Sequence, residues 1–314
     1  MAKIADLFRR SILPAVLLVS TAAIIHVQPL FLTPNNIINV LRQGSFLMMF
    51  ALGQMTPILT RGLDLSQGGI VTVTSVTFAM FSNDFGIVVG AVVAIALGAA
   101  AGAINGVLVA FFKVSPFVAT LGVGFALQGI ALIVSNGQPV SDVPSAFTYL
   151  GWGQIGPVPV PVAIAVLTLV CIYVVLTLTL PGRYVFAVGS SERAAMLAGI
   201  PVKTVLLSAY TASGILTAIG SLLISSRINS GHPTAGADTA LQAVAAVVIG
   251  GVSLFGGKGS PLGVAMGAIY LAFISNALNL VNISSYVQQV VIGCAIIVAV
   301  ILDRMRTVDR TATS

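Results

Sequence analysis

The chain has 314 residues, 57% of them apolar, with only 14 basic and 8 acidic side chains. A soluble domain of this length needs a charged surface, and 7% charge cannot provide one. The formal net charge of +6 is scattered among short breaks between apolar blocks, so it excludes a nucleic-acid patch and fits loops at a membrane face.

A charge at mid-bilayer costs roughly 2.5–3.5 kcal/mol, so uncharged blocks separated by polar breaks predict a chain that threads a bilayer repeatedly. The sequence lacks the alternating segments of a barrel, and its 32 glycines suit close-packed helices. The predicted fold is all-α: one polytopic membrane bundle over 1–314. Ten spans are predicted, at 11–31, 37–59, 66–82, 86–111, 116–135, 158–180, 204–225, 239–254, 261–279 and 285–302. Their lengths lie near the ~20 residues that cross the hydrocarbon. The third and eighth are short and polar, as a broken or partly inserted helix would be.

The first run, Ile12–Val27, follows Lys3, Arg9 and Arg10 in the manner of a signal peptide. It continues past Pro14 without a small-residue cleavage site and reads as a retained span. With both termini cytoplasmic, 12 of the 14 bases fall in inner breaks, and only Arg42 and Arg227 lie on the outer half. The longest outer break is Asn136–Pro157 and the longest inner one is Pro181–Lys203. Gly98, Gly102 and Gly106, and likewise Gly263 and Gly267, fall on single helix faces. Such faces serve helix packing within a subunit or an interface between subunits. A weak internal echo links Gly62–Gly69 with Gly251–Gly257.

Three breaks could carry chemistry. In Thr60–Gly69, Asp64 or Ser66 can cap the third helix, and Gly62 and Gly68 permit tight turns. The segment reads either as a capped surface turn or as a helix break whose Asp64 orients a gate. In Gly182–Pro201, Ser190 or Ser191 can cap a short helix from Glu192 to Ala198, ended by Gly199 and Pro201. Ala195, Met196 and Leu197 are its apolar knobs. It either lies on the membrane or docks into a groove of a cytosolic motor subunit. The turn Gly256-Gly257-Lys258-Gly259-Ser260 lacks the Walker spacing, so ATP would be bound by another chain.

Catalytic groups are sparse. His26 and His232 have no partner at metal-ligand or triad spacing, and Cys171 and Cys294 read as packing residues. No cofactor or metal is expected on this chain. Gln54, Asn105, Gln128 and Asn276 fall within spans and suit either a path for a neutral polyhydroxy solute or interhelical hydrogen bonds.

These residues carry a resemblance. Gly62-Leu63-Asp64-Leu65-Ser66, Pro116–Gly122, Gly182-Arg183-Tyr184, Ala194-Ala195 with Ala198-Gly199-Ile200, Pro233–Gly236, Ala243–Gly251 and Gly256–Gly259 run along nearly the whole chain. Together they resemble the permease subunits of bacterial ABC importers for ribose, xylose, arabinose, galactose and the autoinducer-2 signal. The resemblance implies a pair of permeases, identical or mixed, in the bacterial inner membrane. It also implies two cytosolic ABC ATPase sites holding ATP and Mg, and a periplasmic solute-binding protein. ATP closure would be felt through Gly189, Glu192, Arg193, Ala194, Ala195 and Gly199. Tyr149, Trp152, Arg227 and Asp238 are the candidate docking residues for the binding protein. The chain departs from the family pattern at Ser190-Ser191 and at Ala240 and Gln242. A secondary transporter driven by an ion gradient is the alternative, with Asp64 as its one plausible ionisable group. A membrane enzyme would need a polar catalytic cluster that the few acids and histidines do not supply.

Overall fold

The computed structural model describes residues 29–294, apart from 142, 285, 291 and 292. Nearly all of the first predicted span, much of the tenth, His26 and the bases at both chain ends lie outside the described residues.

Eight of the predicted spans appear as helices. They are α1 (Pro34–Leu59), α2 (Gln67–Phe85), α3 (Ile87–Ala110) and α4 (Pro116–Val134). A four-residue helix, α5 (Tyr149–Trp152), precedes α6 (Val160–Leu178). The inner loop folds as α7 (Leu180–Ser190) and α8 (Glu192–Leu197), and α9 (Val202–Ile228), α10 (Thr239–Ile249) and α11 (Pro261–Leu280) complete the bundle. Five of them, α3, α4, α6, α9 and α11, are long and apolar enough to cross a membrane.

Local chemistry sets the boundaries. Proline occupies the first turn of α1, α4, α6, α7 and α11, where its missing N–H is not needed. α1 and α10 end alike. Arg61 (φ 65°) and Gly251 (φ 82°) adopt the left-handed conformation just beyond them. Gly62 N–H reaches back to the Pro57 carbonyl, as Val252 N–H does to Val247. The two halves of the sequence echo thus share one helix-termination motif.

Three expectations change. The eighth span shortens to α10, 11 residues and about 16 Å, because Gly250-Gly251 closes it, so it cannot cross the hydrocarbon alone. The loop 181–203 is two consecutive helices, since Pro181 starts α7 directly after α6. The outer break carries a small antiparallel hairpin, Gln154–Ile155 against Val158–Pro159, so the fold is not wholly helical.

α1 and α9 form the centre. Their side chains are buried along most of their lengths, whereas α3, α4 and α6 expose large apolar residues such as Val92, Phe125 and Leu167. α3 meets α9 through its glycine face: a Cβ on Gly98, Gly102 or Gly106 would strike the backbone or side chains of Gly214, Tyr210 and Leu207. Gly263 and Gly267 serve α10 the same way, against Gly250 and Ala246. Both glycine faces are therefore used inside the chain. α11 is joined to α1 by a reciprocal amide pair, Asn36 with Asn276, both bonds 2.9 Å.

Replacing Gly102 with leucine should lower stability by about 3 kcal/mol through overpacking, seen as a fall in the thermal midpoint in detergent. Gly122 on α4 has open space around it, so Gly122→Leu should stay within about 0.5 kcal/mol of the wild type.

Candidate functional site

The seven residues between α1 and α2, Thr60–Ser66, interrupt the helices inside the bundle. A helix break buries peptide groups without intrahelical partners, and each must be satisfied or the break is costly. Side chains from four helices supply the partners, and a fifth, α2, braces one of them. On α1, Gln54 takes the amide orientation in which Nε2 donates to the Asp64 carbonyl (3.0 Å) and Oε1 accepts from its N–H (3.1 Å). On α4, Thr120 Oγ1 accepts from Leu65 N–H (3.1 Å). The Asp64 carboxylate accepts through Oδ1 from Ser66 N–H (3.0 Å) and Ser66 Oγ (2.5 Å), and through Oδ2 from Ser213 Oγ on α9 (2.7 Å). Asn105 on α3 donates to Ser66 Oγ (2.7 Å). Gln67 on α2 donates to the Phe50 carbonyl (3.1 Å) and to Ser213 Oγ (3.3 Å).

Asp64, Ser66, Gln54, Gln67, Asn105, Thr120 and Ser213 are all fully buried. The break is thus buried inside the chain, with Asp64 Oδ1 accepting from Ser66 N–H at the start of α2. Ser66 occupies the N-cap position without capping through its side chain, because its hydroxyl serves Asp64 instead. Gly62 lies against the Tyr210 hydroxyl, which is buried with no hydrogen-bond partner, and Gly68 against the Gly236 carbonyl.

The break is tied to the loop of α7 and α8. Arg61 Nε donates to the Gly189 carbonyl (2.6 Å), and its Nη2 donates to the Ser190 carbonyl. Gly257 N–H donates to the Leu59 carbonyl (2.9 Å), so the turn after α10 joins the same knot. Gly189 is buried there, where any side chain would run into the Leu59 carbonyl. In α8, Ser191 is the cap, accepting from Ala194 N–H (3.2 Å), while Ser190 Oγ turns back to Phe186. Glu192 pairs with Lys113 across the surface (3.1 Å). Ala195 is 4% exposed and is not one of the outward knobs, whereas Met196 and Leu197 are 62% and 81% exposed. Helical periodicity turns Ala195 inward when its two followers face out. Arg193, Ala194 and Gly199 are exposed.

At the opposite end, Trp152 Nε1 donates to the Arg227 carbonyl (2.9 Å). The Arg227 guanidinium lies over Phe46 and Trp152, at 5.4 and 5.7 Å from the ring centroids. Arg42, buried on α1, stacks on the same indole (5.1 Å) and donates to the Trp152 carbonyl (3.3 Å). Trp152 and Arg227 therefore come together, with exposed Tyr149 beside them in α5, but Asp238 does not join them. Asp238 accepts from Gln289 Nε2 (2.9 Å) in a neighbouring cleft that shares Phe46 with the arginine stack.

That cleft consists of two adjoining cavities of about 330 and 280 Å³, which share Gln43, Leu47, Asp238 and Gln242. Asp64, Gln54, Asn105 and Asn276 line neither. Gln128 lines a smaller cavity of about 120 Å³ beside Gly68 and Gly236. Among the described residues no group of three or more His, Cys, Asp or Glu side chains could hold a metal ion. Cys171 and Cys294 are exposed, so neither packs inside the bundle.

A family model described as "Branched-chain amino acid transport system / permease component" matches residues 36–300. The chain belongs to this permease family. The ribose import permease protein RbsC of Haemophilus influenzae is 37% identical over 300 residues, covering 94% of this chain and 92% of its own. RbsC of Escherichia coli (strain K12) is 39% identical over 298 residues, covering 92% of each. The L-arabinose ABC transporter permease protein AraH of Azospirillum brasilense is 30% identical over 308 residues, covering 98% of this chain and 91% of its own. No solved structure matches the chain. Family membership and the apolar helices make this permease a multi-pass membrane protein.

Sequence reasoning missed Thr120 as a partner of the break, Gln67 as a partner of Ser213, and Gln43 as a cleft residue. Asp64 and Ser213 stand 149 residues apart, and no local pattern links them. Ser213→Ala should destabilise the permease by about 1–3 kcal/mol, the cost of leaving a buried polar group without its partner. Tyr210→Phe removes a buried hydroxyl that has no partner and should leave stability unchanged or raised. Thermal unfolding of the two variants in one detergent separates the outcomes.

Proposed function

We propose that this chain is the membrane subunit of an ATP-driven importer for a neutral sugar, delivered by a periplasmic binding protein and powered by a separate cytosolic ATPase. The similarity to permeases named for ribose and arabinose, over nine-tenths of the chain, supports the sugar class. In this reading the chain has about ten spans in the bacterial inner membrane, both termini are cytoplasmic, and a second permease completes the pathway. ATP and Mg are held by the partner, and this chain hydrolyses nothing.

One observation carries the coupling role: the loop bearing α8 is fastened by Arg61 directly to the buried break at Asp64. Met196 and Leu197 project from that loop as the apolar contact for an ATPase groove. When two ATPase subunits close, α8 moves, and Arg61 passes the motion to the break between α1 and α2. Asp64 and Ser66 then act as a gate whose hydrogen bonds to α3 and α9 exchange between states. Asp64 serves here as a hydrogen-bond acceptor, and no proton transfer is required of it. Trp152, Tyr149 and Arg227 form the rim on which the binding protein sits.

Leu197→Asp should abolish co-purification of the ATPase and cut ATP-driven sugar uptake by about tenfold or more, with membrane insertion intact. Arg61→Ala should leave the ATPase bound and hydrolysing while uptake falls. Undiminished uptake by both variants in proteoliposomes, or uptake that follows a proton gradient after ATP is removed, would sink this reading.

A further inference from the structure

The cleft beside α10 has a consistent chemistry. Its mouth is formed by the α9–α10 connection at Thr234–Asp238, on the Trp152 end of the bundle. From Gln43 it follows α1 to Phe50, seven residues and about 10 Å deeper. The Phe50 carbonyl accepts from Gln67, whose amide also reaches Ser213, the serine that donates to Asp64. The Phe50 end of the cleft is therefore linked to Asp64 through Gln67 and Ser213.

Its polar lining includes Gln43 on α1 and Gln242 on α10, with Gln288 and Gln289, whose amides already donate to Asn279, the Ile283 carbonyl and Asp238. Each amide offers donors and an acceptor within one group, which matches a hydroxyl that also donates and accepts. Phe46 and Phe50 add flat apolar surface of the sort that packs on the C–H face of a sugar ring. Asp238 is the one carboxylate, and the described lining holds no lysine or arginine. An amino acid or a sugar phosphate would enter with its anionic group unpaired, at a high desolvation cost. An uncharged polyol meets no such penalty. The volumes sit near the lower end of the ~300–1,000 Å³ usual for ligand pockets, which favours a solute of monosaccharide size.

We infer that this cleft is a weak binding site for an uncharged pentose-class sugar, in which Gln43 and Gln242 engage the ring hydroxyls while the break beneath is closed. The inference rests on the sugar-importer reading for its choice of solute. Few polar side chains line the site, so it holds the sugar only in passing, as a transport path requires. Gln242, which lines both cavities, is then a specificity-determining residue.

The experiment uses the full chain in nanodiscs, with Cys171 and Cys294 replaced by serine. A reporter, Ala237→Cys, sits on the wall of one cavity and leaves every amide in place; a second, Ser275→Cys, sits on the wall of the other. The rate of labelling by a hydrophilic maleimide is measured against D-ribose and against L-leucine. D-ribose should slow labelling by about fivefold at saturation, with half-effect in the millimolar range, and L-leucine should not. Adding Gln43→Leu and Gln242→Leu to the reporter should remove the protection. Unchanged labelling of both reporters up to about 100 mM D-ribose, or equal protection by L-leucine, overturns the inference. Protection by ribose is measured without ATPase or binding protein. Retained protection alongside absent ATP-driven uptake would therefore overturn the importer reading and leave the cleft standing.

Discussion

Everything in this bundle is arranged around one buried carboxylate at a break between two helices. Asp64 has no cationic partner among its described contacts. It is held by two serine hydroxyls and one backbone N–H. A carboxyl group buried in this way is tolerable only while its hydrogen-bond partners stay in place. The donors come from Ser66 beside it and Ser213 on α9, and Ser66 is itself held by Asn105 on α3. The positions of α1, α3 and α9 are therefore tied to one another through a few oxygen atoms. The glycine face of α3 makes this possible, because it lets α9 approach closely enough for Ser213 to reach the carboxylate.

The same break is fastened at its other side. Arg61 sits in a left-handed conformation that ends α1 and points its guanidinium at two carbonyls of the neighbouring loop. A planar guanidinium presents several donors in fixed directions, so it can hold two carbonyls at once where a lysine would hold them loosely. The Leu59 carbonyl, freed by the helix end, is taken by Gly257 from the turn after α10. Three segments far apart in sequence thus share a knot at one end of the bundle. Under the proposed function this knot lies between the motor and the gate, and a displacement of α8 need cross only one side chain to reach the break.

The opposite end is built differently. Two arginines stack on a single indole, and their charges face aromatic faces and carbonyls instead of carboxylates. Beside them opens a cleft with an amide-rich lining. Its depth is set by α10, which at 11 residues is too short to fill the layer. One short helix thus borders the cleft at one end, and the turn that follows it joins the knot at the other.

The sequence by itself determined the class of fold, the place of eight described helices to within a few residues, and the presence of three polar breaks. These are local quantities: apolar length, proline at helix starts, glycine or a left-handed residue at helix ends, and charge confined to loops. It also picked out Asp64, Ser66, Gln54 and Asn105, because polar groups are rare in such a chain. Only the tertiary structure decided that these four form one cluster, that Ala195 faces inward, that Asp238 makes no bond to Trp152 or Arg227, and that Gln43 and Gln242 line one cleft. Those facts depend on which helix faces which, and that is fixed by contacts between residues as far apart as Asp64 and Ser213. A linear pattern records the period of a helix. It holds no record of which partner the helix turns toward, because that choice is made by the packing of the whole bundle.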